Sequence, residues 1–443
     1  MLHPPSRFFG ECPLSDLLAA RLQMAFSLGF HIVFAEIGIA LPLLMVLAEW
    51  RWHRTGDEVY LRLARRWATG AAILFAVGAV SGTVLSFELG LLWPRFMKFA
   101  GPVIGIPFSL EGFAFFTEAI FLGVYLYGWE KISPRAHMTA GAIVALSGAA
   151  SAMFVVMVNA WMNTPRGLTM VDGVIAEIDP IAGMFNPSTA QQVIHMLIAA
   201  YAATALAVAG LHAAILHRKG DSPFHRRAMM LALSVGVPAA ILQPLSGDFS
   251  ARVVARWQPV KLAALEGHFD TRAGAPINIG GWPVADEGRT RFAIEIPRGL
   301  SLLAFHDPNA VVPGLNEFPR EYWPPLVPVH LAFQVMVGLG TVMAVVCLWA
   351  AITALRRRDI VANRALLLAL AIIGPFGFIA TEAGWTVTEV GRQPWVVVGM
   401  VRTADAVTPM HGLIYPMLLF TALYLGLAGV VVAVMRSIVR ETT

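Results

Sequence analysis

Charge is scarce in this chain: 14% of the residues are Asp, Glu, Lys or Arg, against 57% hydrophobic. Soluble domains carry about 25% charged residues, because their surfaces need them. A soluble fold of 443 residues with this composition is excluded, and a membrane protein is expected. Cysteine is nearly missing. Cys12 lies in the N-terminal tail, Cys347 lies in an apolar run, and no CxxC or CxxCH occurs. That argues against a zinc ribbon, an iron–sulfur cluster and covalently attached c-type haem. An excess of basic charge is also slight. The formal charge of +4 needs no nucleic acid as partner, since basic loops on one side of a membrane explain it. The opening MLHPPSRFFGECPLSD lacks a basic start, an apolar core and a small-residue cleavage site, so no removable signal peptide is expected.

What is abundant is apolar length. A helix needs about 20 mostly apolar residues to cross a bilayer. Nine runs qualify, roughly at 20–48, 66–92, 106–128, 137–162, 188–217, 225–246, 326–353, 366–388 and 409–436. The expected fold is an all-α integral membrane protein with nine transmembrane helices in bundles. Helices 1–6 fall in residues 1–246, a polar loop in 247–325, and helices 7–9 in 326–443. The loop holds GAPINIGGWP and VVPGLNEFPREYWPP and is too polar to span. Basic residues alternate between short loops. Arg51, Arg54, Arg62, Arg65 and Arg66 follow the first helix, Lys131 and Arg135 the third, Arg218, Lys219, Arg226 and Arg227 the fifth, and Arg356, Arg357, Arg358 and Arg364 the seventh. These loops are predicted to be cytoplasmic, with the N-terminus and the long loop outside and the C-terminus inside.

Titratable groups within a membrane are costly and point to function. They are His31, Glu36, Glu88, Glu111, Glu118, His195, Glu382, Glu389 and His411, with Asp405 near an end. His31, His195, Met336 and Glu389 all fall in the outer half, where facing helices could hold haem iron. A lone membrane His is nonetheless more often a packing residue than a ligand. With 19 methionines, a Met is more often core filler. Composition and depth alone leave haem as one option among several.

The twelve residues from Gly384 to Trp395, GWTVTEVGRQPW, resemble the GWxxxExGRQPW signature of the cytochrome bd-type quinol oxidase large subunit. Other segments are similar to the same family in the same order: Arg21-Leu22-Gln23 before His31, Ser109-Leu110-Glu111-Gly112, Thr117-Glu118, Asn159-Ala160-Trp161-Met162, Asn186-Pro187, Gln258 to Glu266, and Phe333 with Met336. The resemblance covers nearly the whole chain. It implies that His195 and Met336 are the axial ligands of a low-spin haem b558. It implies that His31 and Glu389 serve the two haems of the oxygen-reducing site, His31 for haem d and Glu389 for haem b595. Arg392 would face haem propionates, and Arg21 and Trp395 are counted with it as cofactor-binding. Lys261 and Glu266 would bind or deprotonate quinol, and Glu111 and Glu118 would carry protons from the cytoplasm toward dioxygen. A second membrane subunit is implied as partner, with room for a small accessory subunit. The bacterial inner membrane is the implied location. Three features depart from the familiar pattern: Gln334 stands where an arginine is usual, Glu36 is an intramembrane acid outside the motif, and the polar loop is short. The short loop resembles the cyanide-insensitive branch, where a further haem b can replace haem d.

Three rivals predict different contents. A secondary transporter requires inverted repeats and no haem. A b-type electron-transfer anchor would use His195 and Met336 but leave His31 and Glu389 idle. An assembly subunit has no need of so many ligand residues.

Overall fold

Spanning helices begin and end where the sequence supplies stops. Ser15 and Asp57 accept backbone N–H bonds as N-caps of α1 (Asp16–Thr55) and α2 (Glu58–Leu92). Ser133 does the same for α4 (Pro134–Asn163), and proline opens both α3 (Pro94–Tyr127) and α4. Gly56 closes α1 in the left-handed region, at φ 67°, where a residue without Cβ is unstrained. The structure, a computed structural model, describes residues 14–172 and 174–440. Cys12 and the tail on which the signal-peptide reading rests lie outside the described residues.

The chain continues through the short α5 (Pro180–Met184), α6 (Thr189–Lys219), α7 (Pro223–Trp257), α8 (Pro259–Glu266) and α9 (Gly299–Phe305). It ends with α10 (Leu326–Leu355), α11 (Arg364–Ile373), α12 (Phe376–Val390), α13 (Thr403–Ala406) and α14 (Ile414–Arg440). Nine helical segments among the described residues are long and apolar enough to span, with α11 and α12 together making the eighth. The membrane fold expected from the sequence is therefore present. Among the described residues, five two-stranded antiparallel pairs decorate the connections. One joins Leu168–Val171 to Val174–Ile178. Three lie within residues 272–312 of the long polar stretch, and one joins Trp395–Val397 to Val401–Arg402.

Two helical groups form the body. In the first, α1 packs on α2 and α4, and α3 on α4; in the second, α6 packs on α7, α11 and α12, and α10 on α7 and α12. Contact of α1 with α6 joins them, and α14 lies against α1. The second group is close-packed through small residues. A Cβ on Gly210 would stand 2.8 Å from the Gly374 Cα, and one on Gly377 would stand 2.3 Å from the Ala203 Cα. Only hydrogen at these positions lets backbones approach so closely, the usual means of helix association where lipid is the solvent.

Several boundaries differ from the sequence expectation: α2 and α3 begin at Glu58 and Pro94, ahead of the expected 66 and 106, because each helix continues through a polar flank. The sixth spanning helix runs on from 246 to Trp257: hydropathy falls there, but no helix breaker occurs before Gln258-Pro259. The ninth begins at Ile414, so His411 is not inside a span. It sits beside Gly412 at φ 78°, its side chain is 95% exposed, and Nδ1 lies 3.3 Å from Asp16.

Candidate functional site

A knot of polar side chains forms where the ends of α4, α8 and α12 meet. The Glu389 carboxylate accepts from Arg392 Nη2 at 2.5 Å and, through its other oxygen, from Asn159 Nδ2. Asn163, one turn beyond Asn159, donates to the Asn159 carbonyl at 2.9 Å. Lys261 Nζ donates to Asn163 Oδ1 at 2.5 Å and to the Thr388 carbonyl at 3.4 Å. Arg392 is 4% exposed, yet its Nε and Nη1 have no hydrogen-bond partner. Buried guanidinium N–H groups without acceptors are costly. Two free N–H donors at a buried cation fit an anionic group such as a haem propionate.

Lys261 and Glu266, expected to act on quinol, are both buried. Five residues along α8, they point about 140° apart, so the helix sends them to different surroundings. Burial pushes the Lys261 ammonium down to about 7, aided by Arg392 and opposed by Glu389. Burial pushes the Glu266 carboxyl up to about 8, with hydrogen bonding from the Asn278 backbone working the other way. Its Oε2 has no partner. Beside it, His330 Nδ1 lies 2.7 Å from the Leu265 carbonyl, which ties α8 to the start of α10.

The two intramembrane histidines occupy matching cradles. His31 on α1 sets Nδ1 3.0 Å from Ser81 Oγ of α2, and His195 on α6 sets Nδ1 2.9 Å from Ser246 Oγ of α7. A glycine follows each serine: a Cβ on Gly82 would stand 2.9 Å from His31 Cε1, and one on Gly247 3.9 Å from His195 Cε1. Fixing Nδ1 orients the ring and leaves Nε2 as the donor atom to a metal. The amide of Gln243 lies 3.1 Å from His195 Nε2, so a metal at that nitrogen displaces this contact. Met336 on α10 brings its sulfur to the bare face of α12, 3.1 Å from where a Gly384 Cβ would be. Donor types, ring orientation and uncrowded glycine faces all fit haem.

The other candidates are spread along the first group. Glu111 accepts from Ser151 at 3.1 Å, and Glu118 is buried against Gly148. Glu88 accepts from Gln23 and Ser27 at one oxygen, each at 2.9 Å, and ties α1 to α2, while its Oε2 has no partner. Glu36 is buried with neither carboxylate oxygen partnered, and Glu382 leaves Oε1 without a partner. Gly29 of α1 approaches Glu382 of α12, which brings the His31 and Glu389 helices face to face. Two candidates are not drawn into the knot. Trp395 packs against Tyr322, ring centroids 5.7 Å apart and tilted by 36°, under the Arg402 guanidinium. Arg21 lies ten residues before His31, about 15 Å along α1. Gln334, at the position where an arginine was expected, spends its amide on the loop, donating to the Asn278 carbonyl and accepting from Gly280 N–H.

Sequence reasoning passed over Ser81, Ser246, Asn163 and Thr388. The serines had a readable sign: Ser81-Gly82 and Ser246-Gly247 are the same dipeptide within spanning runs. Asn163 and Thr388 gave none, because their role depends on where three helix ends converge.

Comparison with known proteins places this geometry in context. Residues 19–443 match the family model described as cytochrome bd terminal oxidase subunit I. A Bacillus subtilis (strain 168) protein provisionally named cytochrome bd menaquinol oxidase subunit I is 38% identical over 429 residues, spanning 95% of this chain and 96% of that protein. The cytochrome bd ubiquinol oxidase subunit 1 of the same organism is 31% identical over 434 residues, covering 95% and 92%. The structure of bd oxidase from Geobacillus thermodenitrificans superposes with a TM-score of 0.90 at 39% identity, covering 97% of this chain and 99% of that one.

Proposed function

Because the chain belongs to the cytochrome bd terminal oxidase subunit I family, we propose that it oxidises quinol and passes the electrons through haem to dioxygen as part of a bacterial membrane complex. What carries the reading is the pair of serine-oriented histidines with Nε2 directed away from the fixing serine. A transporter or an assembly subunit has no use for them.

His195 and Met336 would hold the low-spin haem b558, His31 haem d or a further haem b, and Glu389 haem b595. Haem so held would supply one-electron transfer and a place for dioxygen. The chain's own residues do the rest. Ser81 and Ser246 fix the imidazoles. Arg392 would offer its unpartnered Nε and Nη1 to a propionate while Nη2 donates to Glu389. Asn159 holds the other oxygen of Glu389, and the carboxylate still has lone pairs for iron. Glu266, its carboxyl pushed up to about 8 by burial, would accept a quinol proton when ionised, and Lys261 would donate to the quinol oxygen. With the loops rich in Arg and Lys inside, the start of α2 and the end of α3 would face the cytoplasm. Quinol protons from the polar stretch would then leave outside, and Glu118 would take protons from inside. Charge is separated by this topology alone, without a pump. A second membrane subunit would cover part of the apolar surface that α3 shows at Phe113, Phe116 and Ile120, with lipid taking the rest.

Met336→Leu tests the first assignment: the reduced low-spin haem band is expected to become high-spin, and an unchanged low-spin spectrum removes Met336 as ligand. Ser246→Ala and Ser81→Ala frees each imidazole to rotate. Loss of such an orienting bond weakens metal binding by about 10–100-fold, and haem retention during titration with a competing apoprotein measures it for each haem separately.

A further inference from the structure

A file of polar groups descends from Glu118 to the arginine-rich end of the first helical group. It rests on the reading that Glu118 takes protons from that side. Along α3, Glu111, Glu118 and Tyr125 recur every seven residues, on one face at intervals of two turns, about 10.5 Å. The antiparallel α4 answers each of them. Ser151 donates to Glu111, a Cβ on Gly148 would stand 3.2 Å from Glu118 Oε2, one on Gly141 would stand 2.7 Å from the Tyr125 ring, and the His137 ring lies 4.3 Å from Tyr125. The third wall is α1, with Gly38 at Glu118, Val46 at Gly141 and Glu49 beside His137.

The foot of this file holds a proton by construction. His137 is 3% exposed and Glu49 is 1% exposed. His137 Nε2 lies 2.8 Å from the Tyr125 carbonyl, which can only accept, so Nε2 carries hydrogen. His137 Nδ1 lies 2.8 Å from Glu49 Oε1. That contact needs one further proton, held either as imidazolium and carboxylate or as neutral imidazole and carboxylic acid. The pair therefore stores one exchangeable proton between two buried atoms. Glu49 Oε2 and the Tyr125 hydroxyl are both buried and without a partner. His53 Nε2 lies 3.5 Å from Glu49 Oε1 with its side chain 27% exposed, which links the pair to the surface. From the neighbouring elements, Trp129 packs at 4.0 Å on His137 and carries Arg65 over its ring, with Glu130 pairing Arg65 at 2.9 Å. A mere tie between α1 and α4 would need neither the second carboxylate oxygen nor the tyrosine hydroxyl buried beside it.

We propose that Glu49 and His137 are the proton-entry pair of this chain, passing protons through the Tyr125 hydroxyl and intervening water to Glu118. One proton enters past His53 for each one that leaves toward Glu118, so the cluster keeps its charge.

The test uses the assembled oxidase, fully reduced and mixed with dioxygen, with a pH-indicating dye in the bulk phase. Glu49→Gln and Tyr125→Phe are each expected to slow proton uptake about tenfold or more, with haem content and anaerobic reduction by quinol unchanged. Glu118→Gln is the reference. Slow uptake in Glu118→Gln with normal uptake in both Glu49→Gln and Tyr125→Phe overturns the entry pair. Normal uptake in Glu118→Gln overturns the reading beneath it. Should Glu49→Gln lose haem, Tyr125→Phe decides alone, since it removes only a hydroxyl with no protein partner.

Discussion

Glu389→Gln is expected to cost the complex one haem and at least a hundredfold in dioxygen reduction, while the low-spin haem keeps its spectrum. Glutamine preserves the shape of the side chain and can still meet Asn159. It cannot neutralise Arg392, which is buried and already leaves Nε and Nη1 without partners. Stripping the counter-charge from a buried cation costs about 3–5 kcal/mol. A loss of haem could therefore come from a destabilised knot as well as from a missing ligand. The double variant Glu389→Gln with Arg392→Gln separates the two. It removes the stranded charge and is expected to recover thermal stability without recovering the haem. Recovery of both would make Glu389 a structural partner of Arg392 and not an iron ligand.

Substitutions at Lys261 and Glu266 are expected to act on quinol and leave dioxygen chemistry alone. Loss of either group should lower kcat/KM for quinol by about 10²-fold or more, the usual worth of a positioned acid or base, with haem content intact. The pH profile distinguishes them. Glu266, raised to about 8, must lose its proton to act as a base, so its contribution grows as pH rises through about 8. Lys261, lowered to about 7, must keep its proton to donate, so its contribution fades as pH rises through about 7. The product is a bell with its maximum between those values. Glu266→Gln should erase the limb on the acid side, and Lys261→Met the limb on the alkaline side. A common loss at every pH, with both limbs retained, would leave the two residues with structural roles only.

Much of this was legible before any coordinates. Nine apolar runs and alternating basic loops define the spanning helices, because bilayer thickness sets helix length and there is little room for ambiguity. The donors His31, His195 and Glu389 stand out because titratable groups are rare in such helices. Depth in the membrane put Met336 among the candidates, but it does not stand out among its many fellow methionines, and the family resemblance gave it its role. What hydropathy misplaced were helix ends: Trp257 ends a helix that continues past its apolar part, and His411 precedes a helix that hydropathy starts too early. The relation of Lys261 to Glu389 was hidden as well. They are 128 residues apart in the sequence, and only the meeting of α4, α8 and α12 brings them together. The burial of Lys261 and Glu266 was equally unreadable, because a polar loop reads as solvated until its fold closes over it.

A reduced-minus-oxidised spectrum of the chain with its partner subunit, combined with extraction of its haems, tests the central claim most directly. Three haems per complex, one low-spin and at least one binding carbon monoxide, are the expected result, and a chlorin band would identify one of them as haem d. A single low-spin haem, or none, would contradict the roles given to His31 and Glu389 and leave an electron carrier or a transporter in place of an oxidase.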